Sequence, residues 1–107
     1  MGSTRYYYER LLQCLAHCLA FDENIKLAKE LEQETDIQKL EEYILNKKKT
    51  ISEKEFFYNA GRTCQGVFDD AMETGVDALN ASCGGIAEFE DFIGLEPYDD
   101  EEEEEGE

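Results

Sequence analysis

Residues 52–81 read SEKEFFYNAGRTCQGVFDDAMETGVDALNA, the longest periodic stretch in the chain. Phe57, Ala60, Cys64, Val67, Phe68, Ala71 and Ala78 recur at helical spacing and trace one face. Ser52 followed by Glu55 forms a capping box that starts a helix at this point. Asp69, Asp70, Glu73 and Asp77 occupy the opposite face. Gly61 and Gly75 lie near the apolar face, each at a cost of about 1 kcal/mol against alanine. Small residues there let a second helix approach closely, and the same face suits a homodimer. The pattern predicts one long amphipathic helix over 52–81, which sets the fold class as all-α.

Upstream, residues 4–20 predict a first helix, with Tyr7, Leu11, Leu15 and Cys18 as its stripe and Tyr8, Leu12 and Leu19 widening it. Asp22 is placed to cap a second helix with Ile25, Leu27, Ala28 and Leu31 inward. Thr35 with Gln38 fits a capping box for a third, with Ile37, Leu40, Ile44 and Leu45 inward. Lys47, Lys48 and Lys49 fall in its last turn, where they complement the negative end of the helix dipole. Downstream, Gly84-Gly85 reads as the end of the long helix. Residues 86–93 follow as a short helix or strand anchored by Phe89, Phe92 and Ile93, and Pro97 punctuates the chain. The expected architecture is a bundle of about four helices over residues 1–97, with a disordered acidic tail over 98–107.

Composition bounds the function. With 107 residues the chain makes one small domain, and 41% apolar residues with 6 Tyr and 6 Phe exceed what a disordered chain carries. There are 27 acids against 10 bases, a net charge of −17. All ten bases lie in residues 1–62, which are close to neutral with 11 acids. Residues 63–107 hold 16 acids and no Lys or Arg. A polyanion of this kind repels nucleic acid and anionic lipid and attracts basic proteins, in a salt-dependent way. No run approaches membrane-spanning length. The first 20 residues carry charges throughout, so no secretory leader is expected, and the cytoplasm with reduced thiols is the natural compartment.

Cys14, His17 and Cys18 share one helical turn, while Cys64 and Cys83 lie far along the chain. Zinc favours Cys and His, but no second close pair answers the first, so these cysteines are expected in the core and no metal or other cofactor is expected. His17 is the only histidine and has no evident nucleophile beside it. The carboxylates of the long helix have no His or basic orienting group near them in sequence, and phosphate loops and nucleophile elbows are missing. The expectation is a binding protein rather than an enzyme.

The acidic face has a particular spacing. Residues 69–77 would span about 13.5 Å of helix, one charge per ~3.4 Å, close to the ~3.4 Å phosphate spacing of a DNA strand. A rigid helix of that density can satisfy a partner's Lys and Arg with carboxylates in place of phosphates. Small size, helical pattern and extreme acidity, together with Gly85-Ile86, Glu88-Phe89-Glu90-Asp91, Gly94-Leu95, Pro97 and the terminal acid run, make the chain resemble phage DNA-mimic inhibitors, the Ocr-type antirestriction and acidic anti-CRISPR proteins. The near-neutral first half and the lysine run at Lys47 to Lys49 depart from that pattern.

The resemblance implies a stoichiometric inhibitor of a basic, nucleic-acid-binding host defence protein, acting in the host cytoplasm if viral. The expected contacts are Asp69, Asp70, Glu73 and Asp77, extended by Glu88, Glu90, Asp91 and Glu96, with Asp99 and Asp100 in the tail. Two alternatives come from the same residues. An adaptor would use an aromatic patch of Tyr6, Tyr7, Tyr8, Phe56, Phe57 and Tyr58. An acidic-tail chaperone would bind basic proteins generally.

Overall fold

The computed structural model describes residues 3–94 and is all-helical over them. The order is α1 (Ser3–Phe21), α2 (Ile25–Glu32), α3 (Ile37–Lys48), α4 (Glu53–Thr74) and α5 (Val76–Ile93). The helical class matches expectation, with five helices in place of about four. Glu96, Asp99, Asp100 and the expected tail over 98–107 lie outside the described residues.

α1 is the hub, packing against each of the other four helices. Its sequence explains why. Tyr8, Leu11, Leu12, Leu15, Ala16, Leu19 and Ala20 are all buried, an apolar band wider than a surface helix needs. Each fully buried leucine contributes about 1.5–3 kcal/mol, so the four of them dominate the core. Leu31 of α2, Leu40 and Ile44 of α3, Phe56, Ala60 and Val67 of α4, and Phe89 and Ile93 of α5 close around this band. Cys18, expected in the stripe, is exposed because α1 turns its Leu15/Leu19 side inward.

Three local signals differ from expectation. α1 continues through Phe21, so Asp22 falls in the turn and Asn24 caps α2, its side chain accepting from Leu27 N at 3.0 Å. Asp36 rather than Thr35 caps α3, accepting from Lys39 N at 3.3 Å, while the Glu34 carboxylate accepts from Asp36 N at 3.0 Å. Leu45, expected inward, is 40% exposed, because Leu40, Ile44 and Lys47 form the inner face of α3. Ser52 caps α4 as expected, accepting from Glu55 N at 3.1 Å. On α4 Ala60, Val67 and Ala71 are buried as expected, while Phe56 and Thr63 take the inner places expected of Phe57 and Cys64.

The main correction lies in the stretch that opened the sequence reading. The expected single helix over 52–81 breaks at Gly75, whose φ of 145° and ψ of 177° occupy a region nearly restricted to glycine. Its N–H still bonds Ala71 O at 3.2 Å and its carbonyl accepts from Leu79 N at 2.9 Å, so helix runs up to it and starts again from it. α4 and α5 then fold back antiparallel, with Cys64 and Phe68 opposite Ile86 and Glu90. An unbroken helix over 53–93 would extend about 60 Å and leave Phe89 and Ile93 in water. The break brings both into the core.

Gly84-Gly85, expected to end a helix, sits inside α5. Gly85 is buried where α5 crosses α1, and a Cβ on it would lie 2.8 Å from Tyr7 Cβ and 3.0 Å from Tyr8 N. Its function is close approach rather than termination. Gly94, with φ of 83°, ends α5 in the left-handed region, its N–H bonding Glu90 O at 3.0 Å.

Lys47 and Lys48 fall in the last turn of α3 as expected, but their ammonium groups are engaged by other parts of the fold. Lys48 Nζ donates to Ile93 O at 2.7 Å, satisfying a carbonyl at the end of α5, and lies over the rings of Phe56 and Phe57. Lys47 is buried against the core with its ammonium paired to Glu23. No helix of the described residues is long and apolar enough to cross a membrane.

Candidate functional site

The acidic surface is carried by the antiparallel pair α4–α5, in which no Lys or Arg occurs after Arg62. Asp69, Asp70 and Glu73 are exposed on the last two turns of α4. Asp77 is exposed in the first turn of α5, across the Gly75 break. The four expected contacts therefore do not form one ridge of ~13.5 Å on a single helix, and the strand-like charge spacing does not carry across the break. Instead Asp77 begins a second line. At about 100° per residue, Asp77, Glu88 and Asp91 fall within an arc of about 60° on α5, with Glu90 on the other side.

These acids are not equivalent. Glu88 accepts from Arg5 at 3.1 Å, and Asp70 lies 3.6 Å from Arg10. Both pairs are solvent-exposed, so each contributes little to stability, yet each neutralises one of the expected contacts. Asp69 accepts from the neutral Gln65 amide at 3.1 Å. Glu90 is half-buried in a groove between α4 and α5, lined also by Gly61, Cys64, Phe68 and Ile86. Burial there raises its carboxyl above the usual range, so Glu90 is a poorer surface contact than its neighbours. Among the described residues Asp69, Glu73, Asp77 and Asp91 are exposed and have no ion-pair partner.

The cysteines are less buried than expected. Cys18 and Cys83 are exposed, and Cys14 and Cys64 are intermediate. The reason is geometric: each lies at the flank of its helix, beside the leucine and phenylalanine positions that fill the core. Burial pushes the Cys64 thiol up to about 12 and raises that of Cys14, so both are neutral thiols at physiological pH. No three of His, Cys, Asp and Glu come together to hold a metal ion among the described residues. His17 Nδ1 sits 2.9 Å from Ala28 O, and the Glu32 carboxylate is 3.7 Å away.

The expected aromatic patch divides. Tyr8 and Phe56 are fully buried, and the Tyr8 hydroxyl donates to Glu41 at 2.6 Å. Tyr6 and Tyr58 are exposed by 52% and 63%. Ala60 and Ala71, part of the face that suited a homodimer, are buried within the chain's own core.

One feature was not legible in the sequence. Between α1 and α4 lies a cavity of about 270 Å³, lined by Arg10, Cys14, Cys18, Asn59, Arg62 and Thr63 among others. Its residues come from two distant segments, and no spacing rule links them. Compared with protein-family profiles, characterised proteins and solved structures, the chain matches none.

Proposed function

We propose that the chain is a stoichiometric inhibitor that covers the nucleic-acid-binding surface of a basic protein, in the manner of the anti-CRISPR and antirestriction inhibitors it resembles. The observation that carries this reading is the set of exposed carboxylates Asp69, Glu73, Asp77 and Asp91, free of ion pairs among the described residues, on two packed helices. Such groups accept charge-assisted hydrogen bonds from Lys and Arg at little cost, since no internal ion pair has to be broken. Asp70 and Glu88 join after exchange of an exposed arginine contact.

Break and pairing alter the form of the mimicry. The α4–α5 pair presents two short lines of charge, held by a packed core, in place of one continuous ridge. A partner's Lys and Arg would meet each line separately, since Asp77, Glu88 and Asp91 lie on the side of α5 away from the groove that holds Glu90. The test is capture of binding partners from a host lysate at low and high salt, followed by competition with duplex DNA. Steep loss of the complex with salt and displacement by DNA support the reading. Salt-insensitive binding, or binding unchanged by Asp69→Lys with Glu73→Lys, overturns it.

The exposed Tyr6 and Tyr58 favour a second reading, an adaptor that binds through aromatic anchors. It predicts that Tyr6→Ser with Tyr58→Ser abolishes binding while the charge reversals leave it intact. Chaperone-like capture of basic proteins in general predicts comparable affinity for any polycation.

A further inference from the structure

In a chain of net charge −17, the cavity between α1 and α4 is unusual in being walled by cations and neutral donors. Arg10 enters from α1, Arg62 and Asn59 from α4, and Thr63 lies at the α1 side of α4. Thr63 is 6% exposed, and its hydroxyl is the one buried side-chain polar atom without a hydrogen-bond partner among the described residues. A helical threonine ordinarily satisfies that hydroxyl on the carbonyl four residues back. Here it does not, and an unmet buried hydroxyl is a cost that a bound acceptor would remove.

We propose that this cavity binds a small molecule carrying an oxyanion head, a carboxylate or a phosphate, on an apolar body. Guanidinium groups of Arg10 and Arg62 match either head in two-pronged fashion, with Thr63 and Asn59 as neutral donors. Arg62 has no ion-pair partner among the described residues; its guanidinium lies 5.8 Å from the Tyr58 ring centre. Arg10 has the Tyr6 hydroxyl beside it and pairs with exposed Asp70 at 3.6 Å, a contact that an incoming oxyanion displaces at small cost. Cys14 and Cys18 supply a polarisable wall for the apolar body. Burial keeps the Cys14 thiol protonated, so that wall does not repel the anion.

This site meets the acidic surface only at Asp70, which pairs with Arg10, and either reading can fail without the other. The test is a proton–nitrogen NMR titration of the full chain at constant ionic strength, with inorganic phosphate, phenyl phosphate and benzoate as separate probes. The expected result is saturable shifts confined to Asn59, Thr63, Gly66 and the Arg10 and Arg62 side chains, tighter for an aromatic probe than for inorganic phosphate. Phenyl phosphate against benzoate identifies the preferred head. Arg62→Gln, at an exposed position that leaves the core intact, weakens binding about tenfold, the loss of one charge-assisted hydrogen bond. Asp70→Asn removes the competing carboxylate and tightens binding, which a purely structural role for Arg10 would not produce. The proposal is overturned if no probe gives a saturable response, or if Arg62→Gln and Asp70→Asn leave the response unchanged.

Discussion

Two adjacent glycines in α5 test the packing with opposite signs. In a helix interior, glycine to alanine is worth about 1 kcal/mol in favour of the fold. At Gly85 the new Cβ would lie 2.8 Å from Tyr7 Cβ, 3.0 Å from Tyr8 N and 3.1 Å from Thr4 O. Carbon atoms pack at about 3.5–4.0 Å, so α5 must move away from α1. Backbone atoms cannot rotate aside, and overpacking of this kind costs about 1–3 kcal/mol. Because the shift also parts Tyr8 from Phe92 and Arg5 from Glu88, the upper half of that range applies. The net effect of Gly85→Ala is a loss of about 1–2 kcal/mol, or a fall in Tm of about 5–15 °C for a domain of this size.

Gly84→Ala meets only the side chain of Thr4, at 3.1 Å and 3.3 Å, and Thr4 is exposed and free to rotate. It should be neutral or stabilising by up to about 1 kcal/mol. Urea unfolding followed by circular dichroism measures both. The close-approach account is refuted if Gly85→Ala is as stable as the parent, or if Gly84→Ala is the more damaging of the two.

Other expectations follow from single residues. Iodoacetamide should label Cys18 and Cys83 well before Cys64, whose thiol is pushed up to about 12; mass spectrometry of the digests gives the order, and early labelling of Cys64 contradicts its burial. Glu90 has a raised folded pKa, so its ionised form opposes folding at neutral pH. Glu90→Gln should therefore stabilise at pH 7 and lose that advantage as pH falls through the carboxyl range, as read from melts at pH 3 to 8. Cys64 and Tyr8 are both raised by burial first, so the unfolded chain releases these protons at lower pH than the fold does. Stability should decline from about pH 9 upward, and Cys64→Ala should flatten the early part of that decline. Lys48→Met removes both the donor to Ile93 O and the ammonium over Phe56 and Phe57, and should cost about 1–2 kcal/mol in urea unfolding.

Much of the fold was legible because it rests on local rules. The wide apolar band of α1 and the Ser52 cap each follow from a few neighbouring residues and appear in the structure in their expected function, and the lysine run appears at its expected place at the end of α3. Charge asymmetry was likewise a property of the chain alone, and it placed the exposed carboxylates on its second half. What sequence could not decide was which glycine breaks and which glycine packs. Gly75 and Gly85 both sit in helical patterns, and intrinsic propensity treats them alike. The need to bury Phe89 and Ile93 against α1 turns the chain at Gly75 and presses Gly85 against Tyr7 and Tyr8. The same fold-back divides the acidic face into two lines, pairs Asp70 and Glu88 with arginines of α1, and withdraws Glu90 into a groove. Sequence thus determined the sign and the half of the chain that carries the charge. Tertiary packing, through contacts between residues some eighty positions apart such as Arg5 and Glu88, decided which of those charges are paired within the fold and which stay unpaired.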